Sequence, residues 1–132
     1  MTKYLREVLS PADASGLAVV ETRLEEQFTG GLVASGWAAH LRLERANGTG
    51  TLMCIERISG KLDGRSGSFV LEATGFTDRS HFVHGRWEVV EGSATDDLSG
   101  LRGYAAFVAR PDKNAKSGWS AQTSLTYWFA DQ

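Results

Sequence analysis

Polar and apolar residues alternate along most of this chain, and glycine-rich turns break the alternation at short intervals. Runs with period two and β-branched or aromatic members read as strands. Six stand out: Leu32–Leu43, Thr51–Leu62, Ser66–Phe76, Phe82–Glu91, Tyr104–Ala109 and Ser120–Phe129. Between them, Asn47-Gly48 and Asp63-Gly64 predict hairpin turns of type I′, in which both central residues take positive φ. Thr77-Asp78-Arg79-Ser80 is a polar break before the next run. No gap between runs holds a helical crossover, so the connections are hairpins and the sheet is antiparallel. Leu17–Phe28 fits two readings: Leu17, Val20, Leu24 and Phe28 fall on one helical stripe, yet the same segment also alternates as a strand does. In the N-terminal segment, residues 1–15, Ser10-Pro11-Ala12-Asp13 suits the cap of a short helix.

Length then limits the architecture. A chain of 132 residues fits one domain, taken here as 1–132. So many hairpins in so short a chain predict an all-β fold, either a sandwich or a single antiparallel β-barrel of about 7–8 strands. Hydrophobic residues at 42% and charged residues at 23% are enough for a core without staples, and the single cysteine, Cys54, forms no intrachain bridge. The net charge of −2 gives no basic field for a phosphate backbone, so nucleic acid is not an expected partner. The basic stretch Arg110–Lys116 reads as a solvated loop. No run approaches the roughly 20 apolar residues of a membrane span. Met1–Glu7 lacks an apolar signal core, and a cytoplasmic location is the expectation.

Two stretches carry a family resemblance. The first is Glu56-Arg57-Ile58-Ser59-Gly60, continuing into Gly64-Arg65-Ser66-Gly67-Ser68-Phe69. The second runs from Val89-Val90-Glu91-Gly92-Ser93-Ala94-Thr95 to Leu98-Ser99-Gly100-Leu101-Arg102-Gly103. They resemble the E-R-x-x-G/G-R-S-G-S-F hairpin and the V-V-x-G-S-G-T-x-x-L-x-G-L-R-G turn of a bacterial family known as domain of unknown function 3224. Ala94 stands where that turn has its second glycine. The resemblance spans roughly Phe28 to Phe129 and implies a fold similar to the allene oxide cyclase barrel. Barrels of that shape include cofactor-free cyclases that fold a flexible apolar substrate, so the resemblance implies at most such chemistry.

Strand geometry sorts the polar residues by face. Glu56 shares a face with Leu52, Cys54 and Ile58, where a carboxylate is costly unless paired or protonated. If that face lines the barrel, Glu56 is the catalytic acid/base candidate; otherwise it forms a structural ion pair with Arg65, Arg86 or Arg102. Cys54, Trp37, Phe69, Trp87, Tyr127 and Arg65 are the candidate ligand-binding residues. Outward apolar positions such as Val70, Val90 and Trp128 suggest a homo-oligomer, with a dimer favoured. His81 and His84, three apart on a strand, point to opposite faces, so no metal site is expected. No cofactor motif is present: Gly64-Arg65-Ser66-Gly67-Ser68 leads into a strand, where a phosphate loop leads into a helix.

Two functions from different classes follow. One is a barrel that binds an apolar or amphipathic small molecule and, without a cofactor, isomerises or cyclises it. The other is a non-catalytic homo-oligomeric binding or structural protein with a filled barrel. A hydrolase with paired carboxylates drawn from Glu56, Asp63, Glu72, Asp96 and Asp97 ranks last, because no signature places two acids together.

Overall fold

In a computed structural model, which describes residues 3–114 and 119–130, the chain is one antiparallel meander of eight strands in sequence order. They are β1 (Lys3–Ser10), β2 (Leu17–Phe28), β3 (Leu32–Arg45), β4 (Gly50–Leu62), β5 (Arg65–Thr77), β6 (Val83–Val89), β7 (Leu101–Pro111) and β8 (Trp119–Phe129). The sole helical element among the described residues is a 3-10 turn, Asp96–Leu98. Among the described residues no ladder joins β1 to β8, so the sheet is not closed and is a barrel only approximately. It curls nonetheless: Tyr4 and Arg6 of β1 and Ser120 and Thr123 of β8 line the same cavity. No helix among the described residues is long and apolar enough to cross a membrane.

The ambiguous segment Leu17–Phe28 is a strand. All of it pairs with β3, from Leu17↔Arg45 to Phe28↔Ala34, and Val20, Thr22 and Leu24 turn inward at period two. Long-range pairing outweighs the helical stripe. The capped helix near Ser10 does not form either. β1 runs to Ser10 and bulges between Val8 and Ser10, and Asp13 instead holds a turn by accepting from Ser15 N at 2.8 Å.

One of the two type I′ expectations needs correcting. Asp63 and Gly64 both have positive φ and close a two-residue hairpin with Leu62 opposite Arg65. At Asn47-Gly48 only Gly48 is left-handed, and Gly48 N donates to Arg45 O at 3.0 Å. That is a three-residue loop ending in a glycine bulge, a geometry in which one left-handed residue suffices. The basic stretch Arg110–Lys116 extends past the end of β7, and its last two residues lie outside the described residues, as do Met1 and Thr2.

The interior has two regions. At one end, Ala34, Ile58, Leu62, Phe69, Leu71, Val89, Leu98 and Leu101 form a packed cluster, with Phe28, Trp87, Leu125, Tyr127 and Phe129 against it. The segment after β6 closes this end. Val90 N and Thr95 N donate to Val70 O and Ser68 O of β5, and Leu98 plugs the bore. Toward the other end a second cluster, Leu24, Ala38, Leu52, Cys54, Ala73 and Val83, is made largely of small residues.

Candidate functional site

Those small inward residues leave a cavity of about 550 Å³, within the roughly 300–1,000 Å³ of ligand pockets. Its wall includes Leu52, Cys54 and Glu56 of β4, Glu26 and Phe28 of β2, His40, Arg42 and Glu44 of β3, Trp87 of β6 and Phe107 of β7. The rings of Trp87 and Phe107 lie 5.1 Å apart, and Phe28 meets Trp87 edge-on at 6.3 Å. Together they form an aromatic wall.

Glu56 is the chemical centre of this cavity. It is 2% exposed, and its Oε2 is buried with no hydrogen-bond partner. The register explains the position. Glu56 lies opposite Ala38, and Glu26 opposite Gly36, so the two carboxyls approach diagonally across β3. A Cβ at Gly36 would stand 2.2 Å from Glu56 Oε2 and 2.9 Å from Phe28 Cε2, so only glycine leaves room for the carboxyl there. Burial raises the Glu56 pKa well above the carboxylate range, and the neighbouring carboxyl of Glu26 pushes it further the same way. Glu56 is therefore a neutral, proton-bearing acid at pH 7, beside a second carboxyl.

The rest of the polar wall lies nearer the Asn47 turn. Burial lowers the His40 pKa to about 4, aided by the charge of Arg42, and its Nδ1 is buried without a partner. Arg42 Nε donates to the buried Thr22 Oγ1 at 3.1 Å. Arg6 of the edge strand holds both oxygens of Glu44, at 2.8 and 2.6 Å. Cys54 sits opposite His40, and burial raises its thiol to about 12, so it is not a nucleophile at neutral pH.

Of the residues singled out from sequence, the cavity brings together Glu56, Cys54 and Trp87. Phe69, 1% exposed, belongs to the packed end, and Tyr127 packs against that end with its hydroxyl bonded to Asp63 Oδ2. Arg65 lies over the Phe129 ring at 4.3 Å, also at the closed end. Trp37 is 54% exposed on the outer face, because odd-numbered positions of β3 point outward. The ion-pair alternative for Glu56 does not hold: Arg65 is on Phe129, Arg86 lies over Tyr104 at 5.1 Å, and Arg102 pairs with Glu91 at 3.4 Å. Glu26, His40, Arg42 and Phe107 were missed. Glu26 and Arg42 sit at alternating positions in strands whose inner face was left open, which is the signal that would have found them.

His81 is not on a strand. It occupies the turn before β6 at φ 69°, while His84 Nε2 donates to Asp78 Oδ2 at 2.8 Å and its ring stacks on Phe76. Among the described residues no group of three or more His, Cys, Asp or Glu is placed to hold a metal ion.

Comparison with known proteins agrees with this architecture. A family model described as "Protein of unknown function (DUF3224)" matches residues 3–118. A crystal structure of a protein of unknown function from that family, from Shewanella oneidensis MR-1, is similar to this chain, with 27% identity and a TM-score of 0.77. The match covers 98% of this chain and 92% of that one. No curated protein matches.

Proposed function

This chain belongs to the DUF3224 family of proteins of unknown function, and from that premise we propose that it binds an apolar or amphipathic small molecule inside its curled sheet. The observation that carries this reading is the cavity of about 550 Å³ with a buried, unpartnered Glu56 oxygen in its wall. A buried polar atom without a partner is costly, and an oxygen-bearing guest supplies the missing bond. The neutral Glu56 donates to that oxygen, with the Glu26 carboxyl beside it. Two carboxyls in one dry cavity suit cofactor-free isomerisation or cyclisation, in which holding a flexible guest in reactive geometry supplies most of the rate. The same pair suits hydrolysis with paired carboxylates, Glu26 now being the partner in place of Asp63, Glu72, Asp96 or Asp97. The product mass separates the two: hydrolysis adds one water, isomerisation adds nothing.

Titration with a neutral hydrophobic fluorophore tests the binding step. One saturable site per chain is expected, with at least about tenfold weaker binding in Cys54→Phe, which fills the cavity, and unchanged binding in Trp37→Ser on the outer face. A folded protein that binds no probe would defeat the reading.

A second reading, self-association, has its own observation. Val33, Trp37, Leu41, Met53 and Ile55 stand exposed together on the outer face of β3 and β4. This patch is larger than the Val70, Val90 and Trp128 set suggested by the sequence, and patches of this kind mark interaction surfaces. A dimer is expected by light scattering at micromolar concentration; a monomer there counts against it. A reducing cytoplasm stays part of the proposal.

A further inference from the structure

The charged side chains around the cavity are not all paired with one another: the Glu26 carboxyl stands beside Glu56, away from Arg42. Arg6 is committed to Glu44, whose two oxygens it occupies. His40 and Cys54 are neutral at pH 7, the first because burial drives its pKa to about 4, the second because burial raises its thiol to about 12. Arg42, inward-facing and half-buried, has no ion pair among the described residues; Thr22 Oγ1 takes its Nε, and the side chain lines the cavity. Glu44 lies within its field but is already held by Arg6. A guanidinium presents several donors in a planar fork, and one left without an anion in a partly dry wall is an unfilled receptor.

We propose that Arg42 makes this cavity a receptor for an amphipathic organic anion, whose monoanionic head (a carboxylate or sulfonate) sits on Arg42 while an oxygen of its apolar body accepts from Glu56. This deepens the small-molecule reading and rests on it. The spacing gives the guest a length. Glu56 is opposite Ala38, and Arg42 is four residues further along β3, so the two rows stand about 13 Å apart. Side chains leaning inward shorten the gap, and a guest with about 10 Å between its anionic group and its accepting oxygen bridges it. The aromatic wall of Phe28, Trp87 and Phe107 covers the apolar body between the two anchors.

Anilinonaphthalene sulfonate and its uncharged parent, phenylnaphthylamine, differ only by the anionic group, and the ratio of their dissociation constants on one protein isolates it. On the wild type the sulfonate is expected to bind about ten- to a hundredfold more tightly, the value of a charge-assisted hydrogen-bonded contact. In Arg42→Gln the ratio falls to within about threefold of one, and Arg42→Lys keeps most of the preference. Because both probes are read on the same variant, partial destabilisation cancels. A preference unchanged in Arg42→Gln, or absent from the wild type while the parent still binds, overturns the inference and leaves the cavity reading standing. If neither probe binds the folded wild type, both fall.

Discussion

On β4 the inward residues run from Leu62 and Ile58 at one end to Glu56, Cys54 and Leu52 toward the other; on β5 they run from Phe69 and Leu71 to Ala73. The same strands thus build two different interiors. Where they carry large side chains, and where Leu98 and Leu101 are folded under them, the bore is solid. Where they carry glycine, alanine and cysteine, with Trp87 at the boundary, it stays open. Backbone geometry does not separate the halves. Side-chain volume does, and the polar groups Glu26, Glu56, His40 and Arg42 all fall in the open one. Stability is concentrated in one half and chemistry in the other.

The hardest way to break that division is through the packed half. Phe69→Ala is expected to cost about 3–5 kcal/mol in urea unfolding, since it removes a large ring from a fully buried site with no room to relax. Cys54→Leu in the open half adds volume where space exists, and its stability should stay within about 1 kcal/mol of the wild type while probe affinity drops at least about tenfold. Similar costs for the two substitutions would show that the halves do not differ as described.

The comparison also shows what could be read from the sequence. The strand runs and the hairpin at Asp63-Gly64 were legible because period-two alternation and turn chemistry are local. The two family motifs were legible too, but both are largely used in closing the packed end: Gly67 lies under the Thr95 carbonyl, and Ser68 exchanges hydrogen bonds with Thr95. Only Glu56, the first residue of the first motif, reaches the open region, so the motifs say little else about it. Glu56 stood out because a carboxylate among Leu52, Cys54 and Ile58 is conspicuous on one strand. Glu26 and Arg42 did not, because their strands carry charges on both faces and only the register with β4 decides which ones point in. Trp37 illustrates the opposite error: a large aromatic at strand spacing suggests interior, yet one position of parity puts it outside.

The buried acid sharpens the comparison through pH. Its folded pKa is raised above the unfolded value, so the native state holds a proton that the unfolded chain has lost. The stability associated with it is fully present below the ordinary glutamate range and falls as pH rises, until Glu56 ionises in the folded state. His40 acts in the other sense. Its folded pKa is lowered to about 4, so its term grows as pH rises from about 4 to the ordinary histidine value and is flat above that. Between pH 7 and 8.5 only the Glu56 slope remains of the two, at most about 1.4 kcal/mol per pH unit. Wild type should lose stability over that interval, and Glu56→Gln should flatten the loss. Parallel slopes in chemical denaturation would mean that Glu56 is not a buried neutral acid. No comparable flattening is expected from Phe69→Ala, which keeps Glu56 and whose half holds no buried titratable group among the described residues, so the wild-type slope should persist.

The smallest effects separate the halves by kind. Two exposed polar ties, one toward each end, make the comparison: Tyr127 to Asp63 at the closed end and Arg6 to Glu44 near the mouth. Surface contacts of this sort are worth about 1 kcal/mol or less, so Tyr127→Phe and Arg6→Met should both melt close to the wild type. Their consequences for binding should differ. Tyr127 does not line the cavity, and loss of its hydroxyl should leave the sulfonate-to-parent ratio where it was. Arg6→Met releases Glu44, which already lies within the field of Arg42 and becomes free to pair with it. The receptor then carries its own anion, and the preference for a charged guest should fall several-fold although Arg42 is intact. If both variants left the ratio alone, Arg6 would be a mere tie between strands; if both lowered it, the closed end would be reaching into the cavity and the two interiors would not be independent.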